Sequence, residues 1–163
     1  MKPAYVVEIV TPKKFVLNGL WFGPRKPKRA IIVVHGLMSS LFSLRGIVEA
    51  LTDDETAVIT FNNRGHDSVT DVKQIVGTER KYHRAGMAHE VFTDCVDDIE
   101  GAIRRVRQEG VKDIFLAGHS TGCQKSIYSA HKTGKGIKGI ILLAPLSHYA
   151  GDRKRPQLPT AVA

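Results

Sequence analysis

The chain predicts a three-layer α/β/α fold around a mostly parallel sheet. Two observations carry this. From residue 30 onward, short apolar runs alternate with segments of helical periodicity. That alternation builds a parallel sheet with helices on both faces. The runs themselves, such as Ala30-Ile31-Ile32-Val33-Val34, are continuous rather than alternating, as expected of strands buried on both sides. A length of 163 residues suits one domain with a substantial core, and 42% hydrophobic with 25% charged residues is ordinary for a globular chain.

Residues 5–10 and 15–22 are β-rich runs joined by Thr11-Pro12-Lys13-Lys14, which reads as a hairpin. They predict an antiparallel flank over residues 1–29. Pro24 and Pro27 mark a turn before the strand at 30–34. Residues 40–51 place Leu41, Leu44, Ile47, Val48 and Leu51 at helical spacing, with Ser39 or Ser40 as cap. A strand follows at 57–61. Residues 62–89 show no clear periodicity and are expected to be a long loop, functional or mobile. Residues 90–108 predict the strongest helix: Phe92, Cys95, Val96, Ile99, Ile103 and Val106 share one face. Its acids come early and its arginines late, which suits the macrodipole, and Gly110 ends it. A strand at 112–117, a helix at 123–131 and a strand at 137–143 complete a parallel core over 30–146. Residues 147–163 form a basic tail of the single domain 1–163.

The net charge of +8 is unevenly placed. Residues 1–30 carry +6, residues 131–163 carry +5, and the middle hundred carry −3. No aromatic-interleaved basic stripe accompanies them, so the ends read as solvated turns and a tail, and no nucleic-acid partner is expected. The longest apolar run, residues 140–145, is too short to span a bilayer, and the first residues lack a signal-type apolar stretch. No membrane association and a cytoplasmic address are therefore expected. Cys95 and Cys123 sit in apolar contexts without metal-ligand spacing and read as buried thiols.

Gly118-His119-Ser120-Thr121-Gly122 lies between the strand at 112–117 and the helix that follows. A turn this sharp drives its central residue to φ > 0, so the positions two before and two after must lack bulk. It lifts the Ser120 oxygen clear of the sheet and sets the Thr121 N–H at a helix start, where it can stabilise an oxyanion. His35-Gly36-Leu37 and Asn63-Arg64-Gly65-His66 end the two preceding strands. In a doubly wound sheet all three turns fall on the ligand-binding edge.

With these motifs the chain resembles the α/β-hydrolase superfamily, whose nucleophile elbow is G-x-S-x-G. Gly118 to Gln124 followed by Leu143-Ala144-Pro145-Leu146-Ser147 is similar to a small esterase-like branch that includes fungal siderophore esterase-type proteins. The resemblance implies a serine hydrolase of carboxylic esters or related acyl compounds. Ser120 would be the nucleophile, and the N–H groups of Leu37 and Thr121 the oxyanion hole. His35, Gly36, Arg64, Gly65, His66, Gly118, His119 and Gly122 would shape the site. No metal or organic cofactor is implied. The partner would be a small-molecule acyl substrate.

The superfamily orders its triad as Ser, acid, His. After Ser120 this chain offers His131, His148 and Asp152. His131 lies along the helix leaving the turn and points away. His148 follows the last strand, so it is the candidate base, with Asp152 or Asp67 as orienter. Similar sequences carry an Asp at this point of the L-S-x-Y segment, and the bland reading of His148 is an exposed loop residue. The resemblance spans six of the usual eight strands, so the domain is expected to be truncated after the sixth. It would then be a fragment, a complete chain with an improvised base, or a catalytically incompetent interaction module. The apolar strand at 138–143 would be an open edge that drives self-association.

Overall fold

A computed structural model describes residues 4–134 and 136–146. Its sheet has eight strands: β1 (Ala4–Val10), β2 (Phe15–Phe22), β3 (Arg29–Val34), β4 (Thr56–Phe61), β5 (Thr70–Val76), β6 (Glu79–Ala85), β7 (Asp113–His119) and β8 (Ile137–Leu143). Three helices join them: α1 (Arg45–Leu51), α2 (Cys95–Gln108) and α3 (Thr121–Thr133). The strand order is β6-β5-β2-β4-β3-β7-β8, with β1 paired to β2. β4, β3, β7 and β8 run parallel. β1, β2, β5 and β6 join antiparallel.

The parallel strands form where the sequence is apolar on both faces. Every residue of β4 is buried, as are the last five of β3. Ile31, Val33, Val58 and Ala117 on one sheet face pack with Val48 of α1. The other face, with Ile32, Val34, Ile59 and Leu116, receives Ile99, Ala102, Ile103 and Val106 of α2. This is the expected three-layer arrangement. Trp21 of β2 is 1% exposed, and its indole N–H donates to the Pro24 carbonyl at 2.9 Å.

Three expectations need correction. Residues 62–89 are not one loop. They contain the β5–β6 hairpin, which turns at Gly77 (φ 61°) and pairs back onto β2. The stretch 30–146 thus holds an antiparallel hairpin beside its parallel strands, and these two extra strands make β8 the eighth strand described. The first six residues of β6 are all exposed, so no apolar face marks the hairpin in the sequence. The helix expected over 40–51 begins only at Arg45. Residues 41–44 are turn, and Leu41 is held there by its N–H donating to Asn62 Oδ1 at 2.7 Å. Finally, α2 begins at Cys95, not at 90, after a 3-10 turn at Phe92–Asp94.

Candidate active site

After β3 the chain moves to β4 on one side, and it returns through β7 to the other side of β3. The crevice between the carboxyl ends of β3 and β7 is thus a topological switch point, where α/β sheets bind ligands. The turn after β3 is His35-Gly36-Leu37; the turn after β7 is Ser120. Val34 pairs with Gly118, so the two turns leave the sheet side by side.

Ser120 sits at φ 52°, ψ −125°, at the N-terminus of α3. Its backbone is held from both sides: its N–H donates to Leu143 O at 3.0 Å, and its carbonyl accepts from Cys123 N at 2.9 Å. The flanking glycines are required by close approach. A Cβ on Gly122 would overlap the Val34 carbonyl oxygen, and one on Gly118 would come within 2.6 Å of Cys123 Cα. A Cβ on Gly36 would meet Ser120 Cβ at 3.0 Å and lie 3.5 Å from its Oγ. The β3 turn therefore passes directly against the serine. Ser120 is half-buried and Leu37 is 48% exposed, so the spot is open to solvent.

The first N–H groups of a helix have no intrahelical acceptor. Among the described residues neither the Leu37 nor the Thr121 amide donates in a loop or cap hydrogen bond. Likewise no described side chain hydrogen-bonds Ser120 Oγ. His148 and Asp152 lie outside the described residues. Asp67 (φ 55°) faces His66, with its carboxylate 3.7 Å from His66 Nε2.

The histidines of the turns are braced by backbone. His35 is buried, and its Nδ1 contacts the Gly36 carbonyl at 2.8 Å. Burial pushes its pKa down to about 4, and the neighbouring Lys125 charge adds to this. His35 is therefore a neutral ring that shapes the turn. His66 Nδ1 contacts the Asn63 carbonyl at 2.9 Å. His119 is half-buried and pairs with Leu143 across to β8. His83 packs edge-on against Phe15, and His89 and His131 are exposed.

Arg64 is a scaffold. Its Nε donates to Asp98 Oδ1 at 2.7 Å and one terminal nitrogen to Asp97 Oδ2 at 3.0 Å, while its own N–H donates to Asp98 Oδ2 at 2.9 Å. The guanidinium also lies over the Phe15 ring at 4.3 Å. It thereby fixes the turn after β4 to the start of α2. Three carboxylates (Asp94, Asp97, Asp98) share this cation. Burial pushes Asp98 up to about 6, against the pull of Arg64. Cys95 is likewise pushed up to about 12 by burial and is no nucleophile.

One important residue was not anticipated. Lys125 of α3 is 1% exposed, paired with Glu90, and within 3.4 Å of Asn63 Oδ1. Lysine in a helix ordinarily reads as solvent-facing. The available signal was that α3 carries Cys123, Ser126 and Ser129 where an apolar stripe belongs. Among the described residues no three His, Cys, Asp or Glu side chains converge as a metal site requires.

The family model described as serine aminopeptidase, S33, a hydrolase family, matches residues 25–161. No match was found among curated proteins. Among solved structures, an esterase of Pyrococcus furiosus is 21% identical with a TM-score of 0.68, covering 88% of this chain and 50% of its own. A cold-adapted esterase from an Arctic intertidal metagenomic library is 18% identical with a TM-score of 0.64, covering 85% and 59%. A thermostable carboxyl esterase of Bacillus coagulans is 19% identical with a TM-score of 0.61, covering 87% and 44%. The chain thus spans about half the length of these structures, and at such identities the likeness speaks for the fold. With most of its length matched by one family and its sheet shared with these structures, the chain belongs to the serine aminopeptidase S33 family of the α/β-hydrolase fold.

Proposed function

We propose that this protein is a serine hydrolase acting on carboxylic esters or related acyl compounds, with Ser120 as nucleophile. The observation that carries the reading is the strained Ser120 backbone at φ 52°, wedged between Gly118 and Gly122 at a helix start and against Gly36. Strain of this kind persists where the surroundings over-determine it, and it clusters at functional sites. The family match and the esterases of similar fold support the same chemistry. A cytoplasmic address belongs to this reading, and no helix among the described residues is long and apolar enough to cross a membrane.

In the proposed reaction Ser120 Oγ attacks the acyl carbon while its proton passes to a base. The Leu37 and Thr121 N–H groups donate to the developing oxyanion. Collapse of that intermediate expels the alcohol, which takes the proton from the base. Water, deprotonated by the same base, then releases the acid and restores Ser120. His148 is the proposed base and Asp152 its orienter.

A fluorophosphonate probe and short-chain p-nitrophenyl esters test the proposal. The wild-type chain is expected to be labelled, and Ser120→Ala is expected to lose both labelling and turnover. His148→Ala is expected to leave only the contribution of the oxyanion donors, about 10³-fold over water. Full activity in His148→Ala would move the base elsewhere.

A second reading rests on β8, which ends the strand order among the described residues, with Ile140 37% and Leu142 42% exposed. In that reading the chain is an interaction module, and Ser120 would ignore the probe.

A further inference from the structure

The helix that carries Ser120 is held in an unusual way. α2 buries Ile99, Ile103 and Val106, so apolar contact fixes its position. The buried residues of α3 are Gly122, Cys123, Lys125, Ser126 and Ser129. None is a large aliphatic or aromatic side chain, and Ile127 is 48% exposed. Tyr128, partly buried, is the large side chain of α3 that packs on the core, so hydrophobic burial, which is non-directional and scales with area, sets the rotation and axial position of α3 less firmly than those of α2.

Directional contacts add to it: the Cys123 thiol donates to the Gly118 and Leu143 carbonyls at 3.1 and 3.3 Å, and towards α2 and β4 the contacts converge on Lys125. Its ammonium pairs with Glu90, from the segment before α2, and reaches Asn63 Oδ1, at the end of β4, at 3.4 Å. Its carbonyl accepts from the Cys95 thiol at 3.9 Å. One turn along α3, the Tyr128 ring meets Phe92 at 5.5 Å between centroids. Gly65 makes the arrangement possible, because any Cβ there would overlap the Glu90 carboxylate. The Asn63-Arg64-Gly65 turn thus has two tasks. Arg64 ties β4 to α2, and the bare backbone of Gly65 admits Glu90 to Lys125.

We propose that the Glu90–Lys125 pair is a positioning device that sets the Ser120 turn through α3. Neither residue is placed in contact with the reacting atoms. A buried ion pair adds little net stability compared with an apolar pair of equal volume, but its contacts are directional. Lys125 lies five residues beyond Ser120, about 7.5 Å along the helix axis, so a rotation of α3 at Lys125 displaces the turn. The importance of that turn for chemistry rests on the serine-hydrolase reading; its positioning does not.

The test compares wild type, Lys125→Met and the double variant Glu90→Gln/Lys125→Met. Hydrogen exchange is followed at the Ser120 and Cys123 amides, which donate to the Leu143 and Ser120 carbonyls. Fluorophosphonate labelling and thermal unfolding are measured alongside. Both variants are expected to exchange these two amides about tenfold faster, with β1 and β2 unchanged. Labelling is expected to fall roughly 10- to 100-fold. The double variant should regain the thermal stability that the single variant loses by stranding the Glu90 charge, without regaining slow exchange. If Lys125→Met does not fold, the double variant carries the test. Wild-type exchange at Ser120 and Cys123 in the double variant would overturn the proposal, as would loosening spread evenly over α2 and the sheet. A wild type that resists the probe would sink the hydrolase reading, and the exchange comparison would still decide this one.

Discussion

Gly122 and Gly77 both stand at turns, yet their surroundings set opposite tolerances. Gly77 has φ 61° and nothing within 4 Å of where a Cβ would sit. Gly122 has no such space, because the Val34 backbone fills it. Thermal melts are expected to show Gly77→Asn within about 1 kcal/mol of wild type, since Asn tolerates the left-handed region. Gly122→Ala should lose at least about 3 kcal/mol, because the obstructing atom is backbone and cannot rotate away. A second residue-scale prediction concerns pH. His35 titrates near 4 when folded against an ordinary 6.5. Between those values the unfolded chain binds the extra proton, so this residue makes stability rise with pH. Asp98, raised to about 6 when folded, acts in the opposite sense: the folded chain holds the extra proton between about 4 and 6. The two oppose each other, and the net slope is expected to be shallow. Denaturant titrations from pH 4 to 7 should show His35→Asn tilting the slope so that stability falls with pH, and Asp98→Asn tilting it so that stability rises. A slope unmoved by either substitution would contradict both assignments.

At the scale of elements, Arg64 does for α2 what Lys125 does for α3. Arg64→Met is expected to cost about 3–5 kcal/mol by urea unfolding, because Asp97 and Asp98 would remain buried without their cation. These polar clamps also explain which elements the sequence revealed. β3, β4 and β7 were legible because burial on both faces selects unbroken apolar runs. The Ser120 turn was legible because close approach leaves only glycine at 118 and 122. The β5–β6 hairpin was not, since Arg80, Lys81, Tyr82, His83 and Arg84 all face solvent and the period of two has nothing apolar to mark it. The start of α2 was misplaced for a related reason. Glu90 has helical company in sequence, but its carboxylate is drawn to Lys125, and Cys95 opens the helix instead. Lys125 itself left only the indirect signal of the polar stripe in α3, because the partners that explain a buried lysine come from residues 63 and 90.

For the whole molecule, we propose that the side of β8 bearing the exposed Ile140 and Leu142 drives association. We expect light scattering to show concentration-dependent self-association through this edge, and Ile140→Lys to shift the protein towards monomer, since charge on an edge strand opposes pairing. A wild type that stays monomeric at all concentrations would exclude β8 as a sticky edge. The opposite edge is already protected in this way: Arg80, Lys81 and Arg84 line β6. Trp21 is far simpler to observe than any of these features. It is the sole tryptophan of the chain, buried to 1% in the antiparallel flank with its indole N–H satisfied by Pro24. Intrinsic fluorescence excited at the indole band is therefore a one-site optical reporter. Its emission should be blue-shifted and poorly quenched by acrylamide, and it should turn red only when the flank opens, leaving fraying at the far edge of the sheet optically silent.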